Sequence, residues 1–334
     1  MRRQRVWIVA VAAMALVLAA CGSDDDTTTT GAGGDTSTTV DDVSQADVVI
    51  GVATHGGPGD SFWDVVKRGA EQAASDLGIT LRYNGSGEVV EQAQFVDTYV
   101  TEDVDGIVVS LANPEGMQDS LTAAVAAGIP VITINSGVDL YQSLGAVTHV
   151  GQTEKVAGNG AGLQFNDMGV AKVLCVVHEE GNIGLQERCD GLRETFSGEV
   201  EDFNVASTGT GDIAGTLATI QDKLASDSSV DAILALNPDI AIAARDAIDG
   251  ASSEARLATF DLSGDVLQGI VDGEIEFAID QQQYLQGYLP VVFLYLQATN
   301  ANTVGGGLPV LTGPGIVDSS NAAAVIELAE AGTR

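Results

Sequence analysis

Apolar and polar positions along this chain fall into blocks with two different periods. Val48, Val49, Ile50, Val52 and Ala53 form a short, nearly continuous apolar run, the pattern of a strand covered on both faces in a parallel sheet. Phe62, Val65, Val66, Ala70, Ala73 and Leu77 then recur at steps of three and four, which puts one apolar stripe on a helix. A glycine-rich turn, HGGPGDS, joins the two, and Ser61 with Asp64 three residues on is expected to cap the helix. Trp63 lies off the stripe, at the first turn beyond the end of the first strand. It either faces the crevice where open α/β sheets hold ligands or packs as a core residue.

The unit then repeats. Strands are expected at 79–84, 106–111 and 131–134, the last ending at Asn135, with helices at 88–103 and 115–127. A second series starts near Gly151, with helix 156–168, strand 171–177, helix 185–196 and strand 203–206. It continues with helix 214–225, strand 230–236, helix 239–248 and strands 257–260 and 276–279. Helix 285–298, a Gly/Pro-rich link at 305–315 and a last helix at 321–331 close the chain. Strands alternating with helices imply two α/β lobes, each a doubly wound parallel sheet. The late elements are expected to complete both lobes, so the lobes would be joined by a hinge of several chain crossings.

The first residues stand outside this pattern. Arg2, Arg3 and Arg5 precede the apolar run 6–20, too short for a comfortable span but suited to a secretory leader. The run ends in LAAC, which resembles the lipobox of bacterial lipoproteins, so residues 1–20 are expected to be a cleaved signal peptide and Cys21 to carry lipid. Residues 21–46 are Ser, Asp, Thr and Gly with almost no large apolar side chain, a composition that cannot bury enough surface to fold and reads as an acidic, Thr-rich tether. No later stretch offers a convincing span, since 289–298 is short and contains Tyr295 and Gln297.

In 334 residues, 47 acidic side chains face 14 basic ones, for a formal charge of −33. Such a surface repels nucleic acid and anionic lipid and argues against a highly charged anionic substrate. With Cys21 lipidated, Cys175 and Cys189 remain, an even pair that a disulfide would join in an oxidising compartment. The alternative is one buried and one helical thiol too far apart to bond.

Polar residues gather where strands end: His55, Asn113, Asn135, His178, Asn237, Asp261 and Gln281. That edge of an open α/β sheet faces the ligand crevice. Asn, Asp, Gln and Arg188 supply planar pairs of donors and acceptors that match vicinal hydroxyls, while Phe62 and Trp63 supply flat faces for a sugar's C–H surface. Asn113 and Asp239 fit equally well as turn formers or caps. The histidines His55, His149 and His178 lack zinc-site spacing, and HGGPGDS lacks the GK[ST] ending of a phosphate loop. Neither a GxSxG elbow nor a CxxC pair is present, and His178-Glu179-Glu180 reads as a crevice rim rather than an acid–base group. No metal or cofactor is expected.

From about residue 47 onward the chain resembles the type I periplasmic sugar-binding proteins, the ribose-binding-like receptors of ABC importers. The likeness rests on GVATHGGPGDSFWDVVKRGAEQAA, DGIVVSLANP, GIPVITINSG, LQERCDGL, AILALNPDIAIAA, LATFD and FAIDQQ, in that order and spacing. The resemblance implies a first lobe of 47–150 and 282–312, a second lobe of 151–281 and 313–334, and ligand capture by lobe closure. It implies sugar stacking on Phe62 and Trp63, with Asp60 at a neighbouring polar position. Hydroxyl contacts would come from Asn135, Arg188, Asn237, Asp261 and Gln281. Where ribose-type receptors have an Asp-Arg pair after the fourth strand, Asn135-Ser136 stands here, and a second-lobe aromatic is replaced near Gly211. These departures turn the expectation from ribose toward another neutral sugar or a polyol.

Together these readings predict a monomeric, lipid-anchored, non-catalytic receptor at the cell surface or in the periplasm. It would hand a neutral sugar or polyol to an ABC permease. A receptor for a furanosyl quorum signal or for chemotaxis is the alternative, and a secreted enzyme on the same scaffold a more distant one.

Overall fold

Parallel strands need crossover connections, and this chain supplies a helix after most of its strands. The computed structural model describes residues 47–57, 59–207 and 209–334. The expected leader, Cys21 and the tether to residue 46 lie outside the described residues. The first series is β1 (Val49–Thr54), α1 (Ser61–Leu77), β2 (Thr80–Gly85), α2 (Val89–Thr101), β3 (Gly106–Ser110), α3 (Pro114–Ala126), β4 (Val131–Asn135) and β5 (Thr148–Gly151). The second runs α4 (Glu154–Met168), β6 (Lys172–Val177), α5 (Ile183–Thr195), β7 (Glu199–Asn204), α6 (Ile213–Ser226) and β8 (Ala232–Ala235). It ends with α7 (Pro238–Ala251), β9 (Arg256–Phe260), α8 (Gly264–Asp272) and β10 (Phe277–Asp280). The chain closes with α9 (Gln283–Asn300), β11 (Val310–Leu311), β12 (Gly315–Asp318) and α10 (Ile326–Glu330).

These strands make two 6-stranded sheets, ordered β11-β5-β4-β3-β1-β2 and β12-β10-β9-β8-β6-β7. The orders correspond position by position, so β4 and β9 are counterparts, as are β1 and β6. Every pairing is parallel except β12, which runs antiparallel to β10. The chain passes between the sheets after β5, after β10 and after β11, all on the same flank. In the first lobe, α9 returns to pack on α1 against Val48, Ile50, Val52 and Ile132. The helices come so close that a Cβ at Gly287 would stand 1.9 Å from the Val66 carbonyl oxygen. In the second lobe, α4 and α5 cover one face of the sheet around Phe165, Leu192 and Phe260. Helices α6, α7 and α8 cover the other.

Several elements differ from the sequence expectation. Asp60, not Ser61, caps α1: its Oδ1 accepts from the Phe62 and Trp63 backbone N–H groups at 3.0 and 3.4 Å. Strand β5 carries the buried polar pair Thr148 and His149, which breaks the apolar run by which a strand is recognised. His149 meets Thr133 through Nδ1 at 3.0 Å. Strand β7 lies N-terminal to its expected place because, as an edge strand, it is polar; Glu201 pairs with Lys172 at 2.9 Å and Lys223 at 2.7 Å. The Gly/Pro-rich link contains β11 and enters β12, and the last helix is a 3-10 turn at Ala322–Ala324 followed by the short α10. Cys175 on β6 and Cys189 on α5 are bonded, with Cα atoms 5.9 Å apart. Among the described residues no helix is long and apolar enough to cross a membrane.

Candidate functional site

The facing ends of the two sheets line a pocket of about 310 Å³ of empty volume, open solvent included. The first lobe contributes His55 from the end of β1, Phe62 and Trp63 from the first turn of α1, and Asn135 and Ser136 from the end of β4. The second contributes His178 and Glu179 after β6, Asn182 just before α5 and Arg188 on it, Asn237 after β8, and Asp261 after β9. Gln281, in the crossing after β10, lies between them. Sheet order explains the gathering. Strands β4 and β9 are counterparts near the crossings, so their last residues face each other.

Asn135 and Asp261 also share an uncommon backbone conformation, with φ of 64° and 69°. Left-handed geometry at a non-glycine residue is disfavoured and concentrates at functional sites. Here it turns each side chain off its strand into the pocket. Asn135 Nδ2 donates to Gln281 Oε1 at 3.2 Å, and Gln281 Nε2 donates to Asp261 Oδ1 at 2.9 Å. This amide–carboxylate chain runs from one lobe to the other. Burial pushes the Asp261 carboxyl up to about 7, against the pull of Arg188 and the Gln281 hydrogen bond.

Arg188 is held rather than free. Its Nε and Nη2 donate to Glu154 at 2.6 and 3.1 Å, its Nη1 donates to the Leu236 carbonyl at 3.0 Å, and its guanidinium lies 4.4 Å from the centre of the Phe260 ring. Nη1 also faces Asp261 Oδ2 at 3.8 Å. Such a fork, fixed from behind by a carboxylate, presents its remaining N–H groups in one orientation.

On the aromatic side, Trp63 meets His55 and Phe62 edge to face, with centroids 4.6 and 4.9 Å apart. Trp63 therefore serves both alternatives raised by the sequence, a member of the first-lobe core that also lines the pocket. His55 Nδ1 lies 2.7 Å from Ser110 Oγ, and its Nε2 lies 3.6 Å from Glu179. The order Ser–His–Glu looks catalytic. Yet Ser110 is fully buried and its hydroxyl also accepts from the His55 backbone N–H at 2.8 Å and from Gln92 at 3.1 Å, so its bonding capacity is used in holding His55. Burial lowers the titration of His55, and lowers that of His178 to about 4, so both imidazoles are neutral donors or acceptors at pH 7. Burial works against ionisation of Glu179, but the two histidines, Asn182 and Arg188 hold its carboxyl below the ordinary range.

Of the expected site residues, Phe62, Trp63, Asn135, Arg188, Asn237, Asp261 and Gln281 line this pocket and Asp60 does not. Asp60 caps α1 and lines an adjoining chamber. Burial, Asp239 and Glu179 push its carboxyl up to about 7. Asn113 and Asn237 cap α3 and α7 through their side chains, and Asn237 combines that with a place in the pocket wall. Asp239 reaches the other lobe, where its carboxylate accepts from the Ser61 N–H at 3.3 Å. Asn182, Ser136 and Glu154 were not singled out as site residues in the sequence. The Asn before the first turn of α5 is a legible cap, but its place in the pocket depends on lobe closure.

The sequence pattern of the periplasmic binding protein domain matches residues 50–302. The chain belongs to that family. Among solved structures, this periplasmic binding protein is similar to a carbohydrate transporter from Acidothermus cellulolyticus 11B in complex with myo-inositol. The two are 40% identical with a TM-score of 0.83, over 86% of this chain and 100% of the other. Among curated proteins it is similar to a ribose import binding protein from Haemophilus influenzae, 27% identical over 75% of this chain and 84% of that one. It is also similar to a xylose/arabinose-binding protein from Sulfolobus acidocaldarius, 24% identical over 78% of this chain and 68% of that one. The doubly wound two-lobed architecture expected from the sequence is thus the architecture found. Periplasmic binding proteins of this kind work outside the cytoplasm.

Proposed function

We propose that this periplasmic binding protein captures a neutral cyclic polyol, with myo-inositol the leading ligand, by closing its two lobes, and delivers it to an ABC permease. The observation that carries this reading is the pocket wall itself. Planar amides, a carboxylate and a fixed guanidinium from both lobes line one pocket with an aromatic pair. A ring bearing a hydroxyl on every carbon can satisfy such a wall on all sides, and each unmatched polar group would be penalised on closure. The likeness to the structure holding myo-inositol supports the same class. Replacement of the ribose-type Asp-Arg pair by Asn135-Ser136 supports a ligand other than ribose. The receptor acts as a monomer, without covalent chemistry, and is held at the membrane by lipid on Cys21, a reading that rests on the LAAC sequence and the polar stretch after it.

Isothermal titration of the purified protein with myo-inositol, ribose, arabinose, xylose and galactose tests the reading. Saturable binding strongest for myo-inositol is expected, with loss of about tenfold in affinity for Asp261→Asn at pH 8, where the carboxyl is ionised and a hydrogen bond to a charged group is removed. Heat signals at baseline for the whole panel would overturn it.

A further inference from the structure

Gln286, near the start of α9, is fully buried yet leaves half of its amide unused. Its Oε1 has no hydrogen-bond partner, while its Nε2 donates to Gln281 Oε1 at 2.8 Å, to the Gln281 carbonyl at 3.3 Å and to Thr312 Oγ1 at 3.3 Å. An unpaired buried acceptor is unfavourable, and a methionine would fill a similar volume without one. What the amide adds is its N–H. Both Gln281 oxygens can only accept, so they fix which end of Gln286 faces them.

The consequence lies in Gln281. Its Oε1 takes Gln286 Nε2 and also Asn135 Nδ2, the latter at 3.2 Å, which uses both lone pairs of a carbonyl oxygen. Its Nε2 gives one N–H to Asp261 Oδ1 at 2.9 Å. The second N–H is all that the Gln281 side chain has left for a ligand in the pocket it lines. Asp261 keeps acceptor capacity on Oδ2, which faces Arg188 Nη1 at 3.8 Å, beyond hydrogen-bond distance.

We propose that Gln286 is a positioning residue for ligand selection: by donating to Gln281 it holds that amide with its nitrogen toward Asp261 and the pocket. This corner then selects a hydroxyl that receives a hydrogen bond from Gln281 and gives one to Asp261. A keto oxygen at the same carbon could only receive, and a deoxy carbon could do neither, so both are rejected. The inference rests on the polyol reading of the pocket, in which that group is a ring hydroxyl.

Calorimetry of the full chain with myo-inositol at pH 5 and pH 8 compares Gln286→Met and Gln286→Glu with the parent at the same pH. The charges acting on Asp261 from Arg188, Glu154 and Asp280 are then common to all three proteins. Gln286→Met keeps the volume and removes the donor; it is expected to bind about 3- to 10-fold more weakly, the worth of one hydrogen bond. Gln286→Glu is expected to bind within about twofold of the parent at pH 5, where a buried carboxyl facing two oxygens is protonated and donates as the amide does. At pH 8, where it can only accept, it should bind at least about tenfold more weakly than the parent. Space filling alone gives neither effect, so parental affinity in Gln286→Met, or the same deficit at both pH values in Gln286→Glu, would overturn the proposal. Carbon-13 NMR of the ligand-free chain reads the same joint without a ligand: the Asp261 carboxyl should titrate higher in Gln286→Met than in the parent, its Gln281 donor being no longer held in place. If no form bound myo-inositol, the polyol reading would fall, and an Asp261 titration identical in parent and Gln286→Met would take the positioning role with it.

Discussion

Asp261 concentrates the physical conflict of the site in one side chain. It is 2% exposed, sits at a φ of 69°, and faces Arg188 only at 3.8 Å, across a guanidinium already committed to Glu154. Burial therefore wins, and its carboxyl titrates near 7 instead of near 3.8. With the folded value raised, the unfolded chain releases its proton first, so the contribution of Asp261 to stability is whole below about pH 4 and is lost as pH rises through 7. An asparagine at 261 has no proton to lose. The melting temperature of Asp261→Asn relative to the parent should therefore climb between pH 5 and pH 8, while the variant binds polyol more weakly at pH 8, where the parent's carboxyl is ionised. A constant offset across that range would show that Asp261 is ionised throughout. His178 titrates in the opposite sense: its folded value near 4 lies below the ordinary 6.5, so it adds stability as pH rises from 4 to 6.5. The comparison with the parent at each pH cancels this term. At this scale the sequence carried much of the site, because polar residues ending apolar strands stand out against their context. It did not carry Glu154, whose meaning is the arginine 34 positions away that it holds.

Helices α4 and α5 show how an element positions a side chain. Their contact face is lined with glycine: a Cβ at Gly158 would stand 2.1 Å from the Arg188 carbonyl oxygen, and one at Gly191 would stand 2.1 Å from the Lys155 carbonyl oxygen. Backbone meets backbone there, so nothing flexible can give way. Gly158→Ala should push α5 outward and carry Arg188 with it. The expected result is destabilisation of about 1–3 kcal/mol in urea unfolding, together with weaker polyol binding. Glu154→Ala attacks the same joint chemically. It leaves the Arg188 guanidinium, 3% exposed, without its carboxylate, for an expected loss of about 3–5 kcal/mol. A Glu154→Ala chain as stable as its parent would mean that the arginine relaxes to another partner. The elements hidden from sequence reading share one cause. Strands β5, β7, β11 and β12 are short, polar or glycine-flanked, and each is made a strand by a neighbour: β11 by β5, some 160 residues earlier, and β12 by antiparallel pairing to β10. The apolar strands β1, β3, β4 and β6 declare themselves because both of their faces are covered.

Across the site the two lobes meet, and the bonds that join them there are few and local. The Ile183 N–H donates to the Ala112 carbonyl at 3.1 Å, Ser136 Oγ approaches Asn182 Oδ1 at 3.4 Å, and Asn182 Nδ2 approaches His55 Nε2 at 3.4 Å. Asn182 is the hub, but it also caps α5 by accepting from the Gly184 N–H at 3.0 Å. A serine at 182 retains a cap while falling short of His55, so Asn182→Ser separates closure from helix stability. If closure without ligand is an equilibrium between open and shut lobes, weakening the shut state lowers the fraction competent to hold ligand and raises the apparent Kd in proportion. The expected signature is polyol affinity down by roughly 3- to 10-fold, the worth of one or two hydrogen bonds, with the melting temperature of the ligand-free protein nearly unchanged. X-ray scattering should show the ligand-free variant more extended than the ligand-free parent, and the two superimposable once saturated. If scattering of the parent were the same with and without ligand while affinity still fell, Asn182 would be acting as a direct ligand contact in a rigid cleft, and capture by lobe closure would have to be abandoned.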